Sequence, residues 1–227
     1  MQPDVALLTP LPEEKEALAD ALAELGHRPR QCKVGRLTCL RFNELGIVLA
    51  EGGHGKVQFG VQTQHLIDAG AFRLVVCAGA AGSLRRDVGV GDVVVGTTTV
   101  EHDYRLKFAS RPLPGFAGDD STLRQFGEAT SGTDYPFAVH FGPIASGDED
   151  VICSVRAAEL FGATGALCVA WEGSGAARAC RFSGLPFLEL RAVTDSADKS
   201  APTDFDAHLK CGMQNLARLV HDAWSRG

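Results

Sequence analysis

Short apolar runs alternate with longer amphipathic segments along most of this chain, a pattern typical of strands alternating with helices. The runs that predict strands are Val5–Leu8, Arg73–Cys77, Val93–Val100, Phe137–Ala145, Ala166–Ala170 and Leu185–Val193, with a further strand pair over Arg36–Asn43 and Gly46–Glu51. The segments that predict helices are Glu13–Gly26, Val57–Ala69, Ser121–Glu128, Cys153–Phe161, Gly173–Phe182 and Phe205–Trp224. This alternation predicts a single α/β domain over residues 1–227, a three-layer α/β/α sandwich with a mixed central sheet.

Two carboxylates stand at the ends of the last two apolar runs. Glu172 follows Ala166–Ala170 almost directly, and Asp195 follows Leu185–Val193. If these strands run parallel with a helix between them, their carboxyl ends meet at one edge of the sheet, where open α/β sheets bind ligands. Two carboxylates at one crevice can hold sugar hydroxyls and donate a proton.

Other segments carry candidate chemistry, each with a purely structural alternative. Glu14 lies in the first turn of a predicted helix, where the helix dipole alone favours a carboxylate. The glycine-rich Gly52–Val57 precedes a helix and could hold an anion, but it lacks the Walker spacing. His102 beside Asp103 could form an acid–base pair, although a histidine that only packs at a strand end fits better. The prolines and phenylalanines of Leu106–Asp120 predict a functional or interface loop.

Composition excludes several classes of protein. The chain is 45% hydrophobic and 22% charged, which argues against disorder, and its net charge of −6 argues against a nucleic-acid partner. No apolar run approaches the length of a membrane span and no leader pattern opens the sequence, so we expect no membrane partner. Seven cysteines without a CxxC spacing favour reduced thiols in a cytoplasmic protein. We expect neither a metal nor a cofactor.

An ordered set of short motifs extends over nearly the whole chain. The motifs are Val5–Glu14, Gly53–Val57, Ala78–Leu84 with Gly89–Val95, Ser146–Asp148, Trp171-Glu172 and Val193–Asp198. In this order they resemble the nucleoside phosphorylase/nucleosidase superfamily of the purine phosphorylase type, and most of all the 5′-methylthioadenosine/S-adenosylhomocysteine nucleosidases. The resemblance implies a phosphorylase/hydrolase-like fold and hydrolysis of the N-glycosidic bond of a purine-type nucleoside, with or without a modified 5′ group.

The resemblance also implies a role for each matched position. Asp195 would protonate the leaving base, Glu172 would hold the ribose 2′- and 3′-hydroxyls, and Glu14 would orient or deprotonate the attacking water. The other implied contacts, to the base, the sugar and the 5′ substituent, are Val151, Asp150, Trp171, Gly79, Ala80, Leu11, Phe205 and Phe108. Because the family's counterpart of Phe108 comes from the neighbouring subunit, a homodimer or higher homo-oligomer is implied.

Departures from the family's pattern bear on the reaction and the substrate. Cys77 and Ala80 stand where the phosphorylases grip phosphate with an arginine and a serine, so we expect hydrolysis rather than phosphorolysis. Asp150 replaces a phenylalanine that stacks on the base, a loss of about 1–3 kcal/mol; the acid could instead bind a different base or only face solvent. Trp171, in place of a methionine, could supply the missing aromatic face, and a tryptophan that only packs in the interior is the alternative. Ala170 replaces a further glutamate near the sugar. A phosphate-dependent phosphorylase and a non-catalytic nucleoside-binding protein are the alternatives.

Overall fold

The computed structural model describes residues 5–225, which fold into one mixed sheet with helices packed against it. The strands are β1 Val5–Thr9, β2 Arg30–Val34, β3 Leu37–Phe42, β4 Ile47–Glu51, β5 Leu74–Ser83, β6 Val93–Glu101, β7 Gly115–Ala117, β8 Val139–Ser146, β9 Cys168–Ala170 and β10 Phe187–Asp195. The helices are α1 Pro12–Glu24, α2 Lys56–Ala69, α3 Asp120–Thr130, α4 Ser154–Thr164, α5 Gly173–Ser183 and α6 Ala201–Trp224. The predicted α/β class with a mixed central sheet is confirmed.

The central strands are buried on both faces, which is why they appear in the sequence as continuous apolar runs. In β1, Val5 and Leu7 point into one hydrophobic core, whereas Ala6 and Leu8 point into the other. Helices α1, α3 and α6 pack on the first face, and α2 and α5 pack on the second. Within residues 5–225, no helix has both the length and the apolar character needed to cross a membrane.

Strand β5 is the strand through which the sheet closes on itself. It runs parallel to β1 and β10 along most of its length, and its last residues, Gly82 and Ser83, pair antiparallel with β9. Because β10, β6, β8 and β9 also pair in that order, these strands and β5 form a closed circuit. A Cβ atom on Gly79 would lie 2.8 Å from Glu14 Oε1, and one on Gly82 would lie 2.7 Å from Asp195 Oδ1. Small residues therefore let β5 continue past Cys77, where the sequence predicted the strand to end.

The prediction that the strands flanking α5 run parallel is wrong. Strand β9 is antiparallel to β5 and β10 is parallel to it, so β9 and β10 run in opposite directions. Because β9 pairs antiparallel with the end of β5, the residues that follow β9 lie beside earlier residues of β5. Glu172 Oε2 comes within 3.3 Å of Arg191 Nη2 on β10. Glu172 and Asp195 therefore do not stand at the ends of two parallel strands, as the sequence predicted.

Helices α2 and α5 pack closely where both present glycine. A Cβ on Gly60 would lie 3.1 Å from the carbonyl oxygen of Gly175, and a Cβ on Gly175 would overlap the carbonyl oxygen of Lys56. This close approach brings the start of α2 against the start of α5. As a result the N–H of Gly55 donates a hydrogen bond to Glu172 Oε1 over 3.2 Å.

Candidate active site

A cavity of about 550 Å³ lies where β1, β5 and β10 end and where α1 and α5 begin. Its lining includes Leu11, Glu14, His54, Ala80, Asp150, Val151, Trp171, Glu172, Arg191, Asp195 and Phe205. All the predicted site residues except Gly79 and Phe108 are therefore brought together around one space.

Arg191 is a buried cation on β10 that pairs with the carboxylates of Glu172 and Glu189. Its side chain is 1% exposed, its Nε donates to Glu189 Oε1 over 2.9 Å, and its Nη2 lies 3.3 Å from Glu172 Oε2. Its Nη1 also donates to the carbonyl oxygen of Ala80 over 3.2 Å. Burial opposes the charge of Arg191, yet the neighbouring acidic groups, among them Glu189, Glu172 and Glu14, keep its pKa well above the usual range.

Glu172 precedes α5 and divides its two carboxylate oxygens between two partners. Oε2 faces Arg191, while Oε1 accepts a hydrogen bond from Gly55 N–H and lies 3.6 Å from His54 Nδ1. The side chain is buried but lines the cavity. A carboxylate held in this way has a fixed orientation and still offers lone pairs to hydroxyl groups of a ligand.

Glu14 lies in the first turn of α1 and its carboxyl group is satisfied by backbone donors. The N–H of Ala80 donates to Oε1 over 2.8 Å, and the N–H of Leu11 donates to Oε2 over 2.9 Å. Burial raises the pKa of Glu14 from 4.5 to about 7, although Ala80 N–H and the charge of Arg191 oppose the rise. Glu14 can therefore exchange a proton near neutral pH, which a carboxylate that only caps a helix would not do.

Asp195 ends β10 on the side of the cavity next to Gly82. Its Oδ1 accepts from Ala197 N–H over 2.9 Å, and its Oδ2 accepts from the hydroxyl of Thr194 over 3.0 Å. Burial raises the pKa of Asp195 above its usual value, and these two donors oppose the rise. A carboxyl group in this setting retains its proton to higher pH than an exposed aspartate does.

The remaining predicted residues form the walls of the cavity. Leu11 and Phe205 contribute apolar surface, and Val151 is buried beside the exposed carboxylate of Asp150. The ring of Trp171 lies 4.2 Å from the ring of His54, with a tilt of 36° between their planes. The backbone groups of Ala80 are used within the protein, by Glu14 and by Arg191.

Two predicted residues lie outside this lining. Gly79 does not line the cavity, and a Cβ at this position would come within 2.9 Å of Arg191 Nη1, so a larger side chain has no room there. Phe108 is fully exposed in the segment between β6 and β7 and does not reach the cavity of its own chain. The prediction that a neighbouring subunit's Phe108 reaches it stays a prediction.

Arg191 and His54 were not among the predicted site residues. Arg191 follows Glu189 by two positions in an otherwise apolar strand, so both side chains lie on the same face of β10. A charged pair at this spacing within an apolar strand is the signal in the sequence that could have identified Arg191. His54 lies within a quoted motif but had no role assigned to it.

The other candidate pair, His102 and Asp103, does not form an acid–base unit. Asp103 pairs instead with Lys56 Nζ over 2.5 Å. The ring of His102 is buried, and neither of its nitrogens has a hydrogen-bond partner within residues 5–225. Over the same residues, no cluster of three or more His, Cys, Asp or Glu side chains could hold a metal ion.

Comparisons with known proteins identify relatives of this chain. A family model described as the phosphorylase superfamily matches residues 4–224. An aminodeoxyfutalosine nucleosidase from Helicobacter pylori is 31% identical over 180 residues, which cover 77% of this chain and 78% of the relative. A 5′-methylthioadenosine/S-adenosylhomocysteine nucleosidase from Exiguobacterium sp. is 31% identical over 181 residues, with the same coverage of 77% and 78%.

Solved structures with the same fold include nucleosidases that contain bound nucleoside analogues. The 5′-methylthioadenosine/S-adenosylhomocysteine nucleosidase of Neisseria meningitidis in complex with methylthio-immucillin-A has a TM-score of 0.86 and 31% identity, covering 99% of this chain and 100% of that one. A Helicobacter pylori nucleosidase of the same name, in complex with butyl-thio-DADMe-Immucillin-A, has a TM-score of 0.88 and 24% identity over 100% of both chains, and it supports the fold alone.

The raised pKa of Glu14 predicts a pH-dependent contribution to stability. Because the folded protein holds this proton up to a pH of about 7 while the unfolded chain releases it near 4.5, the free energy of unfolding falls as the pH rises between these values. Glu14→Gln removes this contribution. The stability of the variant relative to wild type should therefore increase by about 2–3 kcal/mol from pH 5 to pH 8 in urea titrations.

The matched control is Glu13→Gln, which removes an exposed carboxylate from the same helical turn. The change with pH should be larger for Glu14→Gln than for this control. Equal changes in the two variants would contradict the assignment of a raised pKa to Glu14.

Proposed function

Because this chain belongs to the phosphorylase superfamily, we propose that it is a nucleosidase that hydrolyses the N-glycosidic bond of a purine-type nucleoside. The relatives described above are nucleosidases acting on aminodeoxyfutalosine or on 5′-methylthioadenosine and S-adenosylhomocysteine, so a modified 5′ group belongs to the proposal. The observation that carries it is the convergence of Glu14, Glu172 and Asp195 on one cavity.

Asp195 is the proposed general acid. As the bond between sugar and base breaks, negative charge accumulates on the base, and a proton delivered to a ring nitrogen neutralises it; this is worth on the order of 10²–10⁴ in rate. The proposal is supported by the burial of Asp195, which raises its pKa and so favours the protonated form that the reaction needs. Thr194 and Ala197 fix the orientation of the carboxyl group through hydrogen bonds.

Glu172 and Glu14 are proposed to act on the sugar and on the water. Loss of the base leaves positive charge on the ribose, which nearby carboxylates stabilise. Glu172, oriented by Arg191 and Gly55, would accept hydrogen bonds from two ribose hydroxyls. Glu14 would take a proton from the attacking water, and its pKa of about 7 suits a general base at neutral pH.

Water rather than phosphate is the proposed nucleophile. Arg191 is the only arginine or lysine among the cavity-lining residues of the described chain, and it already contacts Glu189 and Glu172. A phosphate dianion placed beside Glu14 and Glu172 would lack fixed donors and would meet like charge. Cys77, which stands where phosphorylases have an arginine, is fully buried next to Arg191 Nη2 at 3.3 Å.

The experiment is a panel of nucleosides scored for free base with and without phosphate. The panel contains 5′-methylthioadenosine, S-adenosylhomocysteine, aminodeoxyfutalosine, adenosine, inosine and guanosine. We expect base release at the same rate in phosphate-free buffer, with the free sugar as the other product. Strict dependence on phosphate with a sugar 1-phosphate product would identify a phosphorylase. Saturable binding without release of base from any compound would identify a binding protein.

We further propose that the protein works as a homodimer. Helix α2 presents two exposed valines at helical spacing, Val57 at 78% and Val61 at 65% exposure, directly after the Gly55 that contacts Glu172. Phe108 is fully exposed and lies in a segment that the same chain does not use to close its cavity. A second copy would cover the apolar face of α2 and could bring its own Phe108 to the mouth of the cavity.

Val61→Asp tests this dimer because Val61 does not line the cavity. Sedimentation should show wild type at twice the mass of one chain and the variant shifted toward a monomer with lower activity, because a charge on an apolar interface is desolvated at a cost. The matched control is Val155→Asp on α4, since Val155 is 66% exposed. A monomeric wild type, or equal effects of both variants, would contradict the proposal.

A cytoplasmic location is also part of the proposal. All seven cysteines have free thiols, and Cys39, Cys77, Cys168 and Cys180 are buried. Unpaired cysteines in this number fit a reducing compartment.

A further inference from the structure

Glu189 is a buried carboxylate that the proposed chemistry does not use. It lies on β10, is fully buried and does not line the cavity. Its Oε1 accepts a hydrogen bond from Arg191 Nε over 2.9 Å, and its Oε2 accepts one from the hydroxyl of Thr99 on β6. Apolar residues of similar volume often serve stability as well as a buried ion pair does, so stability alone does not account for a charge at this position.

Two glycines provide the space in which this carboxylate lies. Gly173 begins α5, and a Cβ atom there would overlap the carboxylate oxygens of Glu189. Gly96 on β6 is the register partner of Glu189, and a Cβ there would lie 3.2 Å from Glu189 Cβ. The positive end of the α5 dipole also favours a negative charge beside Gly173. Glu189 is therefore enclosed in one position, from which it contacts Arg191.

The guanidinium of Arg191 links Glu189 to the cavity residue Glu172. Its Nε donates to Glu189 over 2.9 Å, whereas its Nη2 lies 3.3 Å from Glu172 Oε2, so the closer partner is the carboxylate outside the cavity. A guanidinium is a rigid planar fork, and fixing the direction of its Nε–H fixes the directions of its other N–H groups. The position of Glu189 therefore determines from which side Arg191 meets Glu172.

The effect on Glu172 depends on how the charge of Arg191 is shared, and this step rests on the proposed function. With Glu189 in place, Glu172 faces the guanidinium through Oε2 alone and keeps lone pairs for ribose hydroxyls. Within the described chain, Glu172 would be the one ion-pair partner left to Arg191 if Glu189 lost its charge. A two-pronged pairing of the guanidinium with Glu172 would then occupy the lone pairs that the hydroxyls need.

We propose that Glu189 is a positioning residue that acts through Arg191 to keep Glu172 available to the ribose hydroxyls. The preference of the site for ribose over 2′-deoxyribose then depends on Glu189, although Glu189 does not touch the substrate. A hydrogen bond between a hydroxyl and a charged carboxylate is strong enough to give a selectivity of about tenfold.

The experiment measures kcat/KM for 5′-methylthioadenosine and for its 2′-deoxy analogue in wild type and in Glu189→Gln. The ratio of the two values is compared between the proteins, so that the intrinsic difference in reactivity between the sugars cancels. Glu189→Gln keeps the shape of the side chain and removes its charge. The ratio should fall about tenfold, because the ribose compound alone loses a contact to Glu172.

A milder variant and a matched control accompany Glu189→Gln. Thr99→Val removes the hydroxyl that holds Glu189 Oε2 and should lower the ratio in the same direction by a smaller factor, about threefold. This variant decides the question if Glu189→Gln does not fold. The control is Glu101→Gln, which breaks a buried ion pair on the same strand as Thr99, but with Lys56 and Arg178 instead of Arg191. Its ratio should equal that of wild type, whatever happens to both rates.

An unchanged ratio in Glu189→Gln and Thr99→Val, or an equal fall in Glu101→Gln, would overturn the inference and leave the nucleosidase function in place. Wild-type protein that releases no base from these two compounds or from any nucleoside of the panel would instead contradict the proposed function, and the inference with it.

Discussion

A single buried cation, Arg191, determines how the acidic groups of the cavity are arranged. An unpaired charge in a protein interior costs several kcal/mol, so Arg191 is tolerated only because Glu189 and Glu172 pair with it. Removing the guanidinium would leave those carboxylates without a counter-charge, at a cost of about 3–5 kcal/mol. Glu14 is held by backbone N–H groups rather than by this cation, and its pKa rises to about 7. One cation thus fixes Glu172 and Glu189 in place, whereas Glu14, held by backbone donors, can exchange a proton near neutral pH.

Strand β5 determines where Arg191 and the carboxylates around it lie. Residues 78–83 of strand β5 are all alanine, glycine or serine, so that Glu14 and Arg191 can approach each other across Gly79. The last residues of β5 pair antiparallel with β9, and Glu172, which follows β9, contacts the side chain of Arg191. The glycines of α2 and α5 then bring Gly55 and His54 to the other side of Glu172. The proposed binding of substrate and exchange of protons depend on these close backbone approaches.

The sequence predicted the parts of the structure that depend on local pattern. The order of strands and helices, the α/β class and the resemblance to the phosphorylase superfamily are confirmed, because apolar runs and motifs are properties of adjacent residues. Strand β2 was missed because its residues are mostly polar and exposed, and β7 because it has only three residues. The direction of β9 could not be predicted, since it depends on pairing with the distant end of β5.

The candidate site was predictable only in part for the same reason. Glu172 and Asp195 stand at strand ends, where a local pattern identifies them. Arg191 lies within a mostly apolar strand, and its role depends on partners that only the folded structure brings close to it. Phe108 is fully exposed in its own chain, so its predicted place at the cavity of a neighbouring subunit stays a prediction. The sequence did not indicate which distant strands pair, and therefore which side chains meet across the sheet.

Proton donation by Asp195 is tested most directly by comparing the effect of Asp195→Asn on two substrates with different leaving groups. A purine nucleoside needs a proton on the departing base, whereas a 4-nitrophenyl riboside releases a stable anion without one. The variant should lose on the order of 10²–10⁴ in kcat on the purine nucleoside and far less on the nitrophenyl compound. Equal losses on both substrates, or undiminished turnover of the purine nucleoside, would contradict a proton-donating role for Asp195.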